Sequence, residues 1–419
     1  MSKSNKDFFK EKKEWSKIKD SLLGCYLTLY FQKVLTTGKP IHYVDCFAGA
    51  GKFDDGELGS PLIAIQEAAK AMARAKNTNA KKNNILVSLI EKKYATRLTA
   101  NTNAFEYQNP RPQIINGTYE SKIASIIKNS KGHNLFLYVD PYGIKYIYYS
   151  IFKQLKHADL ASKELLLNFN SFGFFRNACK VLNVDIKDDS ILKNYSDDDF
   201  LEQEPTILTA NSQSEYTLNE IAGGTYWKEI VEEYNRGEIN GYTAEKKITH
   251  AYVAALREVF KYVINMPVRL KATNRPKYRM IHACNHIDGS FFMAQNMQSR
   301  KEELLLQVYN KGQKTFNFDT PDCTTIEDEI ISLDIIKSNL EKFVKKYKTG
   351  KHARAFVVDF YQRYGMICQM QVIYQLLEKL SLEGVITIKR NPPLTKNNAE
   401  STFWDEKDGR EVIIYYNER

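Results

Sequence analysis

The stretch YVDCFAGAGKFDDGELGSP, Tyr43 to Pro61, changes character halfway along. A short apolar run ends in the acid Asp45. Small residues follow, with Gly49 and Gly51 in the spacing G-x-G, and then a helix start at Ser60-Pro61. That outline is a β-strand delivering a loop to a ligand, with glycines where backbone must come close. The acids say what the ligand is not. A phosphate-binding loop aims glycine amides, a lysine or a helix N-terminus at an anion. Here Asp45 stands at the mouth with Asp54 and Asp55 beyond, and Asp54 occupies the place of the third glycine of G-x-G-x-x-G. A dinucleotide pyrophosphate would be poorly received, which disfavours a dehydrogenase; a cationic or hydroxyl-rich ligand fits better.

The whole chain bounds that reading. Its 419 residues suit one large domain and a smaller one, and 43% hydrophobic with 26% charged residues supply ordinary core material. A net charge of +10 suits a polyanionic partner. The 26 tyrosines and 22 phenylalanines serve either to stack on flat ligands or to fill a core. The six cysteines (Cys25, Cys46, Cys179, Cys284, Cys323, Cys368) are scattered without a C-x-x-C pair, as in a reduced, intracellular chain. The opening residues MSKSNKDFFKEKKEW hold no signal-peptide run, and no stretch reaches about 18 uninterrupted apolar residues. The expectation is a cytoplasmic protein with no membrane span.

Along the chain, residues 8–36 read as a lysine-rich helix that turns apolar and stops at Gly38–Pro40. Then strands and helices alternate. IHYVDCF, NNILVSLIE, PQIIN, HNLFLYVDPYG and KELLLNFN read as strands, with helices between them. This spacing implies βαβ units and a parallel sheet covered on both faces. Residues 172–243 look polar and irregular, an insertion or cover with an acidic knot at SDDDFLEQEP. After a helix at AEKKITHAYVAALREVF, the segments YVINMPVRL and KYRMIHACNH suit an antiparallel edge. From about 320, two helices and a hairpin-like ending (VITIKR, EVIIYY) suggest a winged-helix arrangement over 320–419.

In an open parallel sheet, ligands bind beyond the carboxyl ends of the strands. The first strand delivers Asp45 and then Phe47, Ala48, Gly49 and Gly51; the second delivers Glu91, placed to hold both hydroxyls of a ribose. The third delivers Asn116 and Gly117, where an amide suits an adenine edge, and the fourth delivers Asp140, Pro141, Tyr142 and Gly143. S-adenosylmethionine carries an ammonium, a sulfonium and a ribose but no phosphate, and it matches this set.

With those residues in view, VDCFAGAGKFDDGELGSP resembles the first motif of class I methyltransferases, and more closely that of the three-Cys-motif partner (TcmP) family. WSKIKDSLLGCYLTLY, LFLYVDPYG and YRMIHACNHIDGSFFMAQNM also resemble that family, over roughly residues 10–300. The resemblance implies a Rossmann-like α/β fold with a seven-stranded, mostly parallel sheet over 41–315 and a helical extension over 1–40. It further implies a companion protein bearing three cysteines. DPYG is similar to the fourth motif of enzymes that methylate exocyclic base amines, D/N-P-P-Y/F or D-P-F/Y-G, though a single proline departs from the adenine type. On that likeness, Asp140 and the Pro141 carbonyl accept the amine hydrogens and Tyr142 stacks on the base. The expected activity is methyl transfer to a base amine of RNA or DNA; the alternative is a cofactor-binding or non-catalytic adaptor for the companion protein.

Each residue also has a plainer role. Asp45 can anchor its loop, Glu91 can cap the next helix, and Asp140-Pro141 can form a simple turn with Tyr142 a packed ring. His282, Cys284 and His286 fall on one strand face, yet ligands at spacing two on one strand rarely converge on an ion, so no metal is expected. Phe172 and Arg176, after the fifth strand, are candidates to stack on a base and meet a phosphate, with core packing the alternative. Lys389 and Arg390 on the hairpin are candidate phosphate contacts.

Overall fold

The structure is a computed structural model, and it describes residues 9–12, 14–76, 84–141, 143–144, 146–186, 210–268, 276, 278–304 and 331–418. Helix α1 (Glu14–Leu35) precedes strand β1 (Ile41–Asp45). There follow α2 (Ser60–Lys76), β2 (Ile85–Glu91), α3 (Ala95–Asn103), β3 (Gln113–Asn116), α4 (Tyr119–Asn129), β4 (Asn134–Val139), α5 (Tyr149–Gln154) and β5 (Ser162–Phe169). The next described elements are α6 (Ser171–Val181), α7 (Ser212–Ala222), α8 (Tyr226–Asn235), α9 (Gly241–Leu256), β6 (Tyr262–Val268), β7 (Tyr278–Cys284) and α10 (Ile287–Leu304).

Seven strands form one sheet in the order β3-β2-β1-β4-β5-β7-β6. Strands β1 to β5 run parallel, and β7 lies antiparallel between β5 and β6. This is the Rossmann-like arrangement of class I methyltransferases. Chain order reverses between β1 and β4, so their carboxyl ends flank the crevice where such sheets take ligands. The register sets the site: Asp45 pairs with Leu89 and Tyr138, and Glu91 with Asn116.

Alternation along the strands assigns two cores. Tyr43, Phe136, Tyr138 and Met280 face α1, α2 and α10, whereas Val44, Leu135, Leu137 and Ile281 face α4 to α9. Every residue of β1, β4 and β7 is buried, as a sheet covered on both faces requires. The described parts of 172–243 differ from the irregular chain expected there. Helices α6, α7 and α8 occupy them, and Phe174, Leu218, Trp227 and Val231 seal the second core. Helix α6 is buried nearly all round. The acidic knot lies outside the described residues.

Beyond residue 330 come α11 (Leu333–Val344), β8 (Lys351–His352), α12 (Ala353–Tyr364), α13 (Met370–Leu382), β9 (Ile386–Asn391) and β10 (Glu411–Tyr416). The strands form an antiparallel sheet in the order β8-β10-β9. Helix α12 packs on α10 and β6, so the apolar residues of this region share the first core. Gln298 Nε2 donates to Tyr361 Oη at 2.7 Å, the Val263 amide donates to Gln362 at 2.9 Å, and Arg354 pairs with Asp288. The boundary expected near 315–320 lies outside the described residues. Among those described, no helix is long and apolar enough to cross a membrane.

Candidate functional site

At the carboxyl ends of β1, β2, β4 and β5 lies a cavity of about 340 Å³. Phe47, Ala48, Gly49, Gly51, Ser60, Glu91, Asp140, Pro141 and Asn168 contribute to its wall. The loop after β1 hangs from β2: the Ala48 amide donates to Ile90 O at 3.0 Å and the Gly49 amide to Glu91 Oε2 at 2.8 Å. Gly51 needs to be glycine on two counts. Its φ is +81°, and a Cβ there would stand 2.9 Å from Leu98 Cδ1. The other Glu91 oxygen accepts the amides of Lys93 at 2.6 Å and Tyr94 at 2.9 Å. Glu91 therefore ties the loop to the start of the following helix, and its Oε2 keeps one acceptor position open. It has no ion-pair partner among the described residues.

Asp45 does not line the cavity. It is 0% exposed, beneath the loop, where Oδ1 accepts the Phe47 amide at 3.2 Å and Oδ2 the Ser60 hydroxyl at 2.6 Å. Burial pushes its carboxyl up to about 7, and the bonds from Ser60 and Phe47 offset this only in part. Its described bonds are those of a loop anchor, to the Phe47 amide and to Ser60 at the start of α2.

Asp140 sits at the centre of the densest polar group. Lys19 Nζ on α1 donates to Oδ1 at 3.0 Å and to Oδ2 at 2.8 Å; Asn168 Nδ2 donates to Oδ1 at 2.6 Å, and Tyr138 Oη to Oδ2 at 3.2 Å. Lys19 also lies 5.3 Å from the Tyr278 ring centroid. None of Lys19, Asn168, Tyr138 or Tyr278 was singled out from sequence. Lys19 precedes Asp140 by 121 positions, in the helix that the sequence marks only as lysine-rich. Asn168 could have been found, because it stands at the carboxyl end of a strand in the same way as Asp140. Tyr142 lies outside the described residues.

The N-terminal chain closes one side. The Asp54 amide donates to Phe9 O at 2.7 Å, the Lys12 amide to Asp55 Oδ2 at 2.8 Å, and Lys12 Nζ pairs with Asp20 at 2.7 Å. The Phe9 ring packs edge-on to Tyr94 with centroids 4.9 Å apart, beside Phe53 and beneath Arg97. Burial raises the Asp20 carboxyl and Lys12 opposes that shift. The Asp55 carboxylate and the Asp54 backbone amide thus fasten the N-terminal segment over the loop, while the Asp54 carboxylate pairs with Arg97.

The other expected residues lie elsewhere. Asn116 and Gly117 close β3 beside Glu91, with the Gly117 amide on Glu91 O at 3.2 Å, but neither lines the cavity. Phe172, a candidate stacking ring, is 5% exposed among the aromatic rings of the second core, and Arg176 is half-buried on α6. On the hairpin, Lys389 is exposed with its ammonium 5.0 Å from the Tyr415 ring centroid. Arg390 is committed internally: it pairs with Glu378, donates to Phe403 O at 3.0 Å and lies over Trp404. His282 Nε2 lies 3.1 Å from Glu164 Oε2, which Tyr26 Oη also reaches at 2.6 Å, and Cys284 Sγ donates to His286 O at 3.2 Å.

No family's sequence model matches the chain, and no curated protein matches it. Seven solved chains do. One is described as a loganic acid methyltransferase with SAH; it is 6% identical, with a TM-score of 0.26, and the match covers 66% of this chain and 99% of that one. A likeness this thin carries nothing about activity, and the fold rests on the strand order.

Proposed function

We propose that this chain is an S-adenosylmethionine-dependent methyltransferase acting on an exocyclic base amine of RNA or DNA. What supports this is the convergence on one cavity of the glycine loop, Glu91, Asp140-Pro141 and Asn168 from four strand ends. The residues suit that cofactor: backbone made bare by Gly49 and Gly51 and, among the described residues, an acid without an ion-pair partner in Glu91 and a buried acceptor without a hydrogen-bond partner in Asn168 Oδ1. When bound, the cofactor supplies a methyl group: the amine lone pair forms a C–N bond, the C–S bond breaks with its electron pair left on sulfur, and the nitrogen loses one proton to solvent.

Within this scheme Glu91 Oε2 takes a ribose hydroxyl with its one open position, rather than both hydroxyls through both oxygens. Asp45 serves indirectly, holding the loop in shape through Ser60 and Phe47. Asp140, held by Lys19, Asn168 and Tyr138, fixes the far wall where the amine is received, and Tyr142 stacks on the base. A target inside a duplex has to be flipped out. The order helix, short strand, helix, helix, hairpin from 333 to 416 supports a winged-helix reading, with exposed Lys389 as its phosphate contact. Membership of the three-Cys-motif partner family, and a companion protein bearing three cysteines, complete the proposal.

One observation favours a second reading, a cofactor-binding adaptor without turnover: four hydrogen bonds already fill the Asp140 carboxylate. Incubation with methyl-labelled S-adenosylmethionine and pools of unmodified RNA and DNA, followed by nucleoside mass spectrometry, separates the two. A labelled aminomethyl nucleoside supports catalysis. Cofactor binding without incorporation in any pool would establish the adaptor.

A further inference from the structure

The filled carboxylate of Asp140 raises a question for any amine that enters the cavity: which atom receives its hydrogen? Oδ1 accepts from Lys19 and Asn168, and Oδ2 from Lys19 and Tyr138. An ionised carboxylate offers about four acceptor positions, so none remains. The Asn168 amide is different. It is 3% exposed, lines the cavity, and its Oδ1 has no hydrogen-bond partner among the described residues although buried. Its orientation is dictated by chemistry, since a carboxylate only accepts and the NH2 end must face Asp140. The carbonyl end is thereby left without a partner, and a buried acceptor is rarely left so in a folded protein unless something else satisfies it.

We infer that Asn168 is a catalytic residue of the proposed methyl transfer: its Oδ1 accepts an N–H of the target amine and turns the nitrogen lone pair toward the methyl donor. The inference rests on the methyltransferase reading. Asp140 becomes a positioning residue, which holds the Asn168 amide in the one orientation that presents its oxygen, and Lys19 anchors Asp140 through an ion pair at 2.8 Å. The acceptor class narrows accordingly. The methylated atom bears hydrogen, as an exocyclic amine does, and is neither a ring carbon nor a ring nitrogen that lacks a proton.

The test compares the full-length wild type with Asn168→Ala and Asn168→Asp. Each is titrated with S-adenosylmethionine and then assayed for labelled-methyl transfer to unmodified RNA and DNA across a pH series. Asn168→Ala is expected to bind the cofactor within about twofold of wild type and to transfer roughly 100-fold more slowly, the scale of one lost proton-handling contact. Asn168→Asp supplies a readout that a purely structural role would not move. When protonated, its carboxyl donates to Asp140 and keeps a carbonyl acceptor, reproducing the amide. The adjacent Asp140 charge favours that protonated form. Asn168→Asp is therefore active in mild acid and loses rate about tenfold per pH unit above its pKa, a limb absent from wild type.

The inference is overturned if Asn168→Ala keeps the wild-type rate, if Asn168→Asp is inactive at every pH or tracks wild type throughout, or if the methyl group lands on a ring atom. Failure of the parent reading shows separately and earlier: wild type itself transfers nothing to any pool, which ends both.

Discussion

Replacing Asp45 by Asn is expected to stabilise the protein at neutral and alkaline pH and to leave it nearly unchanged in acid. Asp45 is 0% exposed, and burial pushes its carboxyl up to about 7. In the unfolded chain the same group titrates near about 3.9. Between those values the folded chain holds a proton that the unfolded chain has released, so stability is lost as pH rises through the window. Linkage between these two values gives a loss of about 2–3 kcal/mol from roughly pH 5 to pH 8. The Asp45→Asn side chain keeps an acceptor for the Phe47 amide and offers an NH2 to the Ser60 oxygen, so the loop survives and only the titration disappears. Urea unfolding of both chains near pH 5 and pH 8 measures it, because taking the difference cancels the other titrating groups. The stability of Asp45→Asn relative to wild type should grow by that same amount, about 2–3 kcal/mol. A flat or falling difference would refute a buried, proton-holding Asp45 and mean a carboxylate charged in the folded protein.

Three further outcomes follow from the same geometry. Gly51→Ala forces a Cβ to 2.9 Å from Leu98 at a φ of +81°, so cofactor affinity measured by calorimetry should fall roughly tenfold or more. Arg279→Met strands Glu245 without the guanidinium that pairs it at 2.8 Å with both side chains 0% exposed. Unfolding should show a loss of about 3–5 kcal/mol, largely recovered in the double variant Arg279→Met/Glu245→Leu. Lys19→Met removes two of the four bonds that hold Asp140, and methyl transfer should slow by roughly tenfold or more with cofactor affinity little changed.

Much of the sheet was readable because its strands bury both faces: continuous apolar runs such as NLFLYV and ELLLNF admit few alternatives. Helix α2 was readable to the residue, since Ser60-Pro61 marks its start and its alanine-rich repeat has one dominant period. Helix α11 went unread although its signal was present. Ser332 caps it, and Ile336, Leu340, Phe343 and Val344 recur at helical spacing. At the site, sequence located the strand ends but not the direction of each side chain. That is why Asp45 resolves as an anchor under the loop, and why Arg390 turns inward onto Trp404. Lys19 was invisible for a different reason: its contact with Asp140 is made by the fold, across 121 positions of chain. The acids of FDDGE looked like ligand groups; instead the Asp55 carboxylate fastens the segment carrying Phe9 and Lys12, and the Asp54 carboxylate pairs with Arg97.

The central claim is that this cavity holds S-adenosylmethionine, and calorimetric titration of the full-length protein with it, alongside Glu91→Ala, tests the claim most directly. The predicted result is one molecule bound per chain, with affinity falling roughly tenfold or more in Glu91→Ala, the worth of a hydrogen bond to a charged carboxylate. A folded wild type that binds no S-adenosylmethionine, or binds it equally well without Glu91, would contradict it.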